Sequence, residues 1–110
     1  MNKKWNETLK DDPVIASNIA GTISYATAGP DTRTTQLFIN LADNARLDKM
    51  GFAPFGAVVS GMDVVSRIFN PTPNSSSGVD QGMYETKGNA WIRRKYPQIN
   101  FITKAEVETQ

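Results

Sequence analysis

The sequence predicts a mainly β fold, a sheet or part of a barrel accompanied by two short helices. Two segments, residues 22–27 and 36–41, alternate in side-chain character with a period of two. This alternation is typical of half-buried strands, because successive side chains of a strand point to opposite faces. Gly29-Pro30 interrupts the pattern between the two segments, as expected where a strand ends in a turn.

Composition narrows the chemistry before any motif is considered. The 110 residues are 39% hydrophobic and 21% charged, with a net charge of +1, which suits one small domain over residues 1–110. This charge gives no electrostatic footprint for nucleic acid or for an anionic membrane. The chain has no cysteine and no histidine, which excludes disulfides, thiolate chemistry and every Ser-His or Cys-His catalytic pair.

The expected location follows from the absence of targeting signals. The basic residues near Met1 are not followed by an apolar run, so no secretory signal is expected. No window approaches the ~20 apolar residues of a membrane span. We therefore expect a cytoplasmic protein with no membrane or nucleic-acid partner.

The two alternating segments are expected to be the central strands. The first runs from Gly21 to Thr27, and Ala28–Asp31 ends it, since Pro fixes φ and Gly and Asp supply turn chemistry. The second strand has two different faces: Leu37, Ile39 and Leu41 lie on one, and Gln36, Phe38 and Asn40 lie on the other. A Gln and an Asn flanking a Phe suit a binding floor, with one apolar pocket and one amide donor, better than a core.

The remaining segments predict a third strand and two helices. Phe55–Val59 is expected as a strand, and apolar residues within Met62–Phe69 recur at helical spacing. A loop of about twenty residues is expected over 70–88. Asn89 can cap a second helix, Ala90–Tyr96.

Two further stretches complete the prediction. Residues 46–53 are expected as a longer excursion that ends at Pro54, and Ile99–Ile102 and Lys104–Val107 are apolar enough for terminal strand pairing. An open sheet of so few strands leaves exposed edges, which are a liability unless something closes them.

One motif covers residues 21–65. The run GTISYATAGPDTRTTQLFIN, residues 21–40, resembles the groove signature of the cyclophilins, with A-x-A-G-P followed at preserved spacing by Q-x-F. The resemblance continues through Leu47-Asp48 and through FGAVVSGMDVV at residues 55–65. Residues 79–82, 88–89 and 96–102 are similar to the closing segment of a bacterial-type branch of the family.

The resemblance implies a fold and an activity. Cyclophilins are peptidyl-prolyl cis/trans isomerases (rotamases) with an antiparallel β-barrel and two short helices, and they act on Xaa-Pro peptides and assist protein folding. The implied partners are therefore proline-containing peptides or client proteins, with no cofactor. Measured against the family, the chain is expected to be an incomplete domain that lacks the N-terminal strands and the first helix.

The resemblance also implies which residues bind substrate. Phe38 would form the floor of the pocket for the proline ring, and Leu47 would form one wall. Gln36 would donate a hydrogen bond to the substrate backbone, while Ala26 and Thr27 would line the strand along which the peptide lies.

Three positions depart from the family pattern. Thr27 stands where most cyclophilins have Asn, so its backbone can pair with substrate but the side-chain contact differs. Phe52 falls near the groove His of the family and keeps an apolar wall without a polar tip. Arg46 occupies the place often held by a Trp that binds cyclosporin, which implies weak affinity for that drug.

The resemblance assigns no catalytic residue to this chain. In cyclophilins an Arg within an F-x-R-x-x-x-x-F-x-x-Q segment donates to the imide nitrogen, and the chain contains no such segment. Arg33 and Arg46 are the arginines near the motif, and neither matches that position. Three explanations stay open: a truncated gene product or misplaced start, a remnant that serves as a proline-peptide-binding or assembly subunit, or a second chain that completes the barrel.

Overall fold

The computed structural model describes residues 7–75 and 78–109. Two compact units divide the chain, the first ending at Ser66 and the second beginning at Arg67. All of the strands in the described residues lie in the first unit, and the long helix lies in the second. The residues predicted to bind substrate all lie in the first unit.

The first unit contains a three-stranded antiparallel sheet. Its strands are β1 (Thr22–Tyr25), β2 (Leu37–Ile39) and β3 (Gly56–Ala57), in the order β2-β1-β3. The three strands predicted from the sequence are thus confirmed in place, and each is shorter than predicted. Because β1 is central, β2 and β3 are both edge strands among the described residues.

The register between β1 and β2 sets the two faces of the sheet. Ser24 lies opposite Phe38, and residues directly opposite each other in an antiparallel pair share a face. The predicted alternation of β2 is therefore confirmed, with Phe38 on one face and its two neighbours on the other. The face opposite Phe38 carries Ile23, Tyr25, Leu37 and Ile39.

The face opposite Phe38 is only partly covered: Phe55 and Arg33 pack against Tyr25, and Ile23 and Ile39 are half-buried. Leu37 is 54% exposed, and within residues 7–75 and 78–109 no hydrophobic residue is buried. A cavity of about 430 Å³ opens on this face, lined by Glu7, Thr8, Leu9, Tyr25, Thr34, Thr35 and Leu37. The described strands form an open sheet and not a closed barrel, because three short strands are too few to curl back on themselves.

Arg33 fastens the segment before the sheet to β1. Leu9 and Arg33 form an isolated antiparallel bridge, in which the Leu9 N–H donates to the Arg33 carbonyl at 2.8 Å. The Arg33 side chain is nearly buried, with Nη1 3.1 Å from Asp12 Oδ2. Its guanidinium lies 5.6 Å from the centre of the Tyr25 ring, a distance at which a cation is attracted to the ring.

Two short helices complete the first unit. Residues Ala45–Met50 form a 3-10 helix, which takes up most of the excursion predicted for 46–53. Gly51, with φ of 87°, ends this helix in the left-handed conformation that glycine adopts readily. Helix α1 (Met62–Val65) lies within the predicted helix Met62–Phe69 but stops earlier.

The second unit is built on helix α2 (Gln81–Lys95). The predicted loop over 70–88 is therefore wrong for residues 81–87, which are helical. The predicted second helix, capped at Asn89, corresponds to the part of α2 that follows Gly88. Gly88 interrupts α2 with φ of 67° and ψ of −160°, a conformation essentially confined to glycine. No helix in the described part of the chain is both long and apolar enough to cross a lipid bilayer.

The predicted terminal strands Ile99–Ile102 and Lys104–Val107 are wrong. Residues 99–109 contain no strand, and Val107 is 95% exposed. This tail is held instead by side-chain contacts: Asn100 Oδ1 accepts from the Phe69 N–H at 2.7 Å, and the Arg93 guanidinium lies 4.6 Å from the centre of the Phe101 ring. Apolar character alone is therefore not enough to make this segment a strand.

Asp80 caps the start of α2, which generates a prediction. Its Oδ1 accepts from the Met83 N–H at 3.1 Å, and removing such a cap typically costs about 1 kcal/mol. We expect Asp80→Ala to speed amide hydrogen exchange at residues 83–87, measured by NMR. Asp80→Ser, which retains an acceptor, should change exchange much less. Equal protection in all three proteins would contradict the capping role.

Candidate functional site

A pair of aromatic rings marks the candidate site. Phe38 is half-buried on the polar-lined face of β2, and the ring of Phe52 meets it edge-on, with centroids 5.6 Å apart and planes at 78°. Such T-shaped pairs are favourable beyond the area they bury. The structure thus brings together two of the predicted pocket residues, one from a strand and one from the segment after the 3-10 helix.

Leu47 adjoins this pair through the backbone. It lies half-buried on the 3-10 helix, where its N–H donates to the Asn44 carbonyl at 2.9 Å. Its own carbonyl accepts from the Phe52 N–H at 3.3 Å. The predicted wall residue and the ring that faces Phe38 are therefore parts of one locally bonded segment.

Two other predicted site residues lie beside Phe38. The Ala26 N–H donates to the Gln36 carbonyl at 2.9 Å, which extends the β1–β2 pairing beyond the strands. By the alternation of the two strands, Ala26 and Gln36 share the face of Phe38. Both residues are half-buried, so this face offers small and polar surface next to an aromatic floor.

Thr27 and Arg46 engage in local contacts. The Thr27 hydroxyl donates to the Gly29 carbonyl and lies 2.7 Å from the Thr32 hydroxyl, so its side chain stabilises the turn after β1. Arg46 is exposed, and its Nη1 donates to Asn44 Oδ1 at 3.0 Å. These contacts join Thr27 to the turn after β1 and Arg46 to the residue that precedes the 3-10 helix.

A buried amide network underlies the aromatic pair. Asn18 is 0% exposed, and its Oδ1 accepts from Ser24 Oγ at 2.8 Å and from Asn40 Nδ2 at 3.2 Å. Its Nδ2 donates to Asp48 Oδ1 at 2.8 Å and to the Phe52 carbonyl at 2.9 Å. Buried polar groups need such partners, since an unmade bond costs the desolvation of the group.

Asp48 receives several of these bonds. The Ser17 hydroxyl donates to its Oδ2 at 2.6 Å, and the backbone N–H of Asn18 donates to its Oδ1 at 2.9 Å. The hydrogen bonds from the Ser17 side chain, the Asn18 side chain and the Asn18 backbone lower the pKa of Asp48 from its ordinary value of 3.8. Each donor stabilises the charged carboxylate.

Sequence reasoning missed this network. Asn40 was placed correctly on the Phe38 face, but as a donor in a binding floor, whereas it is 2% exposed and bonded to Asn18 and to Thr22 Oγ1. Ser24 belonged to the alternating pattern and could have been inferred as its neighbour. Asn18 gives no signal, because its burial depends on contacts with residues about 30 positions away in the sequence.

Comparison with known proteins identifies the class. Residues 2–92 match the family model described as Cyclophilin type peptidyl-prolyl cis-trans isomerase/CLD. The peptidyl-prolyl cis-trans isomerase of Acinetobacter baylyi is 44% identical over 72 residues, covering 61% of this chain and 38% of that protein. Peptidyl-prolyl cis-trans isomerase A of Dickeya dadantii is 52% identical over 56 residues, covering 46% and 30%.

The family match covers most of the chain. The chain therefore belongs to the cyclophilin-type peptidyl-prolyl isomerase family, as the motif at residues 21–65 indicated. A more distant relative, peptidyl-prolyl cis-trans isomerase 10 of Caenorhabditis elegans, is 36% identical over 66 residues, which cover 58% of this chain and 40% of that relative. The aligned part of the chain spans 30–40% of the length of these curated relatives.

The lowered pKa of Asp48 generates a prediction on pH. A carboxylate with a lower pKa in the folded state contributes stability that is present above its ordinary pKa and is lost as the pH falls through the folded value. We expect the urea midpoint of the wild-type chain to fall as pH drops below about 4. Asp48→Asn should flatten this fall, while Glu108→Gln, an exposed carboxylate in the second unit, should leave it intact. Parallel curves for wild type and Asp48→Asn would contradict the role of the network.

Proposed function

We propose that the chain binds exposed Xaa-Pro segments of proteins and serves as the proline-binding part of a peptidyl-prolyl cis/trans isomerase that assists folding. The observation that carries the proposal is the edge-on contact of Phe38 with Phe52 beside the paired Ala26 and Gln36. This arrangement supports an apolar seat for a proline ring next to a face that can hold the flanking peptide.

The reaction demands little chemistry from such a site. Rotation about an Xaa-Pro bond faces a barrier of about 18–20 kcal/mol from amide resonance and involves no covalent intermediate. A site accelerates it by gripping the proline ring, holding the peptide on either side and donating to the imide nitrogen. Phe38, Phe52 and Leu47 suit the first task, and Ala26 and Gln36 suit the second.

Neither of the two arginines near the motif suits the third task. Arg33 is bonded to Asp12 and stacked over Tyr25, which shares the face opposite Phe38. Arg46 is bonded to Asn44. We propose that turnover needs a donor from an F-x-R segment of the cyclophilin type, and that these 110 residues alone bind proline peptides without fast turnover. Losing such a donor typically costs ~10²–10³ in rate.

The face opposite Phe38 supports a second part of the proposal. Leu37 is 54% exposed there and lines the open cavity together with Tyr25, and both edges of the sheet are unpaired among the described strands. We propose that further cyclophilin-type strands, supplied by another chain or by more of the same polypeptide, cover this face and close a barrel. Residues 1–110 then form one incomplete domain that works in the cytoplasm.

Peptide binding tests the groove directly. We expect a proline-containing tetrapeptide to shift the NMR signals of Phe38 and Phe52, and the same peptide with Ala in place of Pro to bind more weakly. Phe38→Ala should weaken binding about tenfold or more, because a buried Phe contributes about 1.5–3 kcal/mol.

Phe55→Ala is the matched control for this variant. Phe55 stacks on Tyr25, with ring centroids 5.0 Å apart, and has no place in the proposed groove. The Phe55→Ala variant should therefore bind peptide as the wild type does. Equal losses in the two variants, or no preference for the proline peptide in the wild type, would overturn the assignment.

Co-expression with the missing part of a relative tests the proposal that further strands cover the face opposite Phe38. We expect the chain alone to show no acceleration in a protease-coupled isomerase assay, and acceleration to appear when the part of the Acinetobacter baylyi relative outside the 72 matched residues is co-expressed with it. Leu37→Lys should abolish the gain, because a charge on the apolar face opposes burial. Ile15→Lys, at a position 89% exposed, is the control and should preserve it. Acceleration by the isolated chain would contradict the need for a supplied donor.

A further inference from the structure

We propose that Asn18 is a positioning residue of the groove, which sets the seat for proline by fixing Phe52 and the 3-10 helix against the strand that carries Phe38. This inference rests on the proposed function, since it assigns a role in the same site. Asn18 itself is buried and touches no bound peptide. Its effect is exerted entirely through the residues to which it bonds.

The two ends of the Asn18 amide hold different walls of the site. The Oδ1 end accepts from Ser24 and Asn40. Ser24 lies directly opposite Phe38 in the register, and Asn40 lies two residues beyond it on the same face. This end therefore bonds to the sheet on either side of the aromatic floor.

The Nδ2 end holds the opposite wall. One hydrogen reaches Asp48 at 2.8 Å, next to Leu47, and the other reaches the carbonyl of Phe52 at 2.9 Å. The Asn18 backbone adds to this grip, because its carbonyl accepts from the Asn44 N–H at 2.7 Å. One planar amide thus spans from the floor to the wall of the groove.

Few other side chains can fill this position. An Asn amide supplies an acceptor and two donors on a short stem, and the structure uses both donor directions and accepts twice at the oxygen. Asp would keep the acceptor but lose both donors, and would place a second carboxylate against Asp48. Ala would leave Ser24, Asn40 and the Phe52 carbonyl without this partner.

Loss of the Asn18 hydrogen bonds would change the shape of the groove. The Phe52 ring faces Phe38 at 5.6 Å, while the backbone carbonyl of the same residue is anchored by Asn18. Releasing that carbonyl frees the Phe52 ring to move away from Phe38. The sheet register is supported independently by backbone hydrogen bonds, such as that from the Asn40 N–H to the Thr22 carbonyl at 2.9 Å. Proline affinity should therefore suffer even where the sheet persists.

A reciprocal exchange separates positioning from general stability. Asn18→Asp is expected to lower both the urea midpoint and proline-peptide affinity. Asn18→Asp combined with Asp48→Asn restores a donor and an acceptor between the side chains of positions 18 and 48. The restored donor also faces the backbone N–H of residue 18, which donates to Asp48 Oδ1 in the wild type, and position 18 still presents an oxygen to the Phe52 carbonyl. We expect this double variant to recover part of the midpoint lost in Asn18→Asp, while its affinity stays about tenfold below that of the wild type, which corresponds to about 1.4 kcal/mol.

A spectroscopic readout and a control complete the test. NOEs between the Phe38 and Phe52 rings should be lost in Asn18→Asp and in the double variant. Arg33→Gln, which breaks the ion pair with Asp12, is the destabilised control and should keep these NOEs and bind peptide with wild-type affinity under folding conditions. Affinity that returns together with the midpoint in the double variant, or NOEs that survive in it, would overturn the role of Asn18.

These readouts keep the two proposals distinguishable. If the wild-type chain binds no proline peptide, the proposed function fails, while the ring NOEs still decide whether Asn18 positions Phe52. If the wild type binds and the double variant binds equally well, the groove stands and the positioning role falls.

Discussion

The first unit depends on the hydrogen bonds of one buried amide. Asn18 joins the segment before the sheet, β1, the residue that follows β2 and the 3-10 helix, in a unit whose described residues bury no hydrophobic side chain. Polar contacts occupy the place that an apolar core usually takes. Such a network must be complete, because each buried polar group left without a partner lowers stability by about 1–3 kcal/mol. It is also directional, and it therefore fixes geometry more tightly than apolar contact would.

The two faces of the small sheet divide the work between them. One face carries Phe38 above the amide network, with Phe52 packed against it. The other carries Leu37, which is 54% exposed, beside the half-buried Tyr25. Arg33 is held against Tyr25 on this second side. The proposed peptide groove and the proposed assembly surface therefore lie on opposite faces of the same strands.

The strands and the face of Phe38 could be predicted because they depend on local alternation and on a motif with preserved spacing. What could not be predicted has physical causes. The 3-10 helix Ala45–Met50 has no apolar periodicity, and Gly82 and Gly88 lower the helix propensity of the first half of α2. The terminal segment is apolar enough for a strand but has no strand partner within residues 99–109. Asn18 owes its burial to contacts far along the chain, which a pattern of neighbours does not contain.

The pairing of β1 with β2 has a consequence for how the groove tolerates change. A strand that slips by one residue turns every side chain to the opposite face, so a slip of β2 would exchange Phe38 for Leu37 and remove the floor of the site altogether. Bonds at both ends of the pair oppose this: the Ala26 N–H with the Gln36 carbonyl at one end, and Asn40 Nδ2 with Thr22 Oγ1 at the other, each at 2.9 Å. Insertions in the connection between β1 and β2 are tolerable only when they leave this alignment unchanged. The groove therefore forms only when the two strands are correctly aligned.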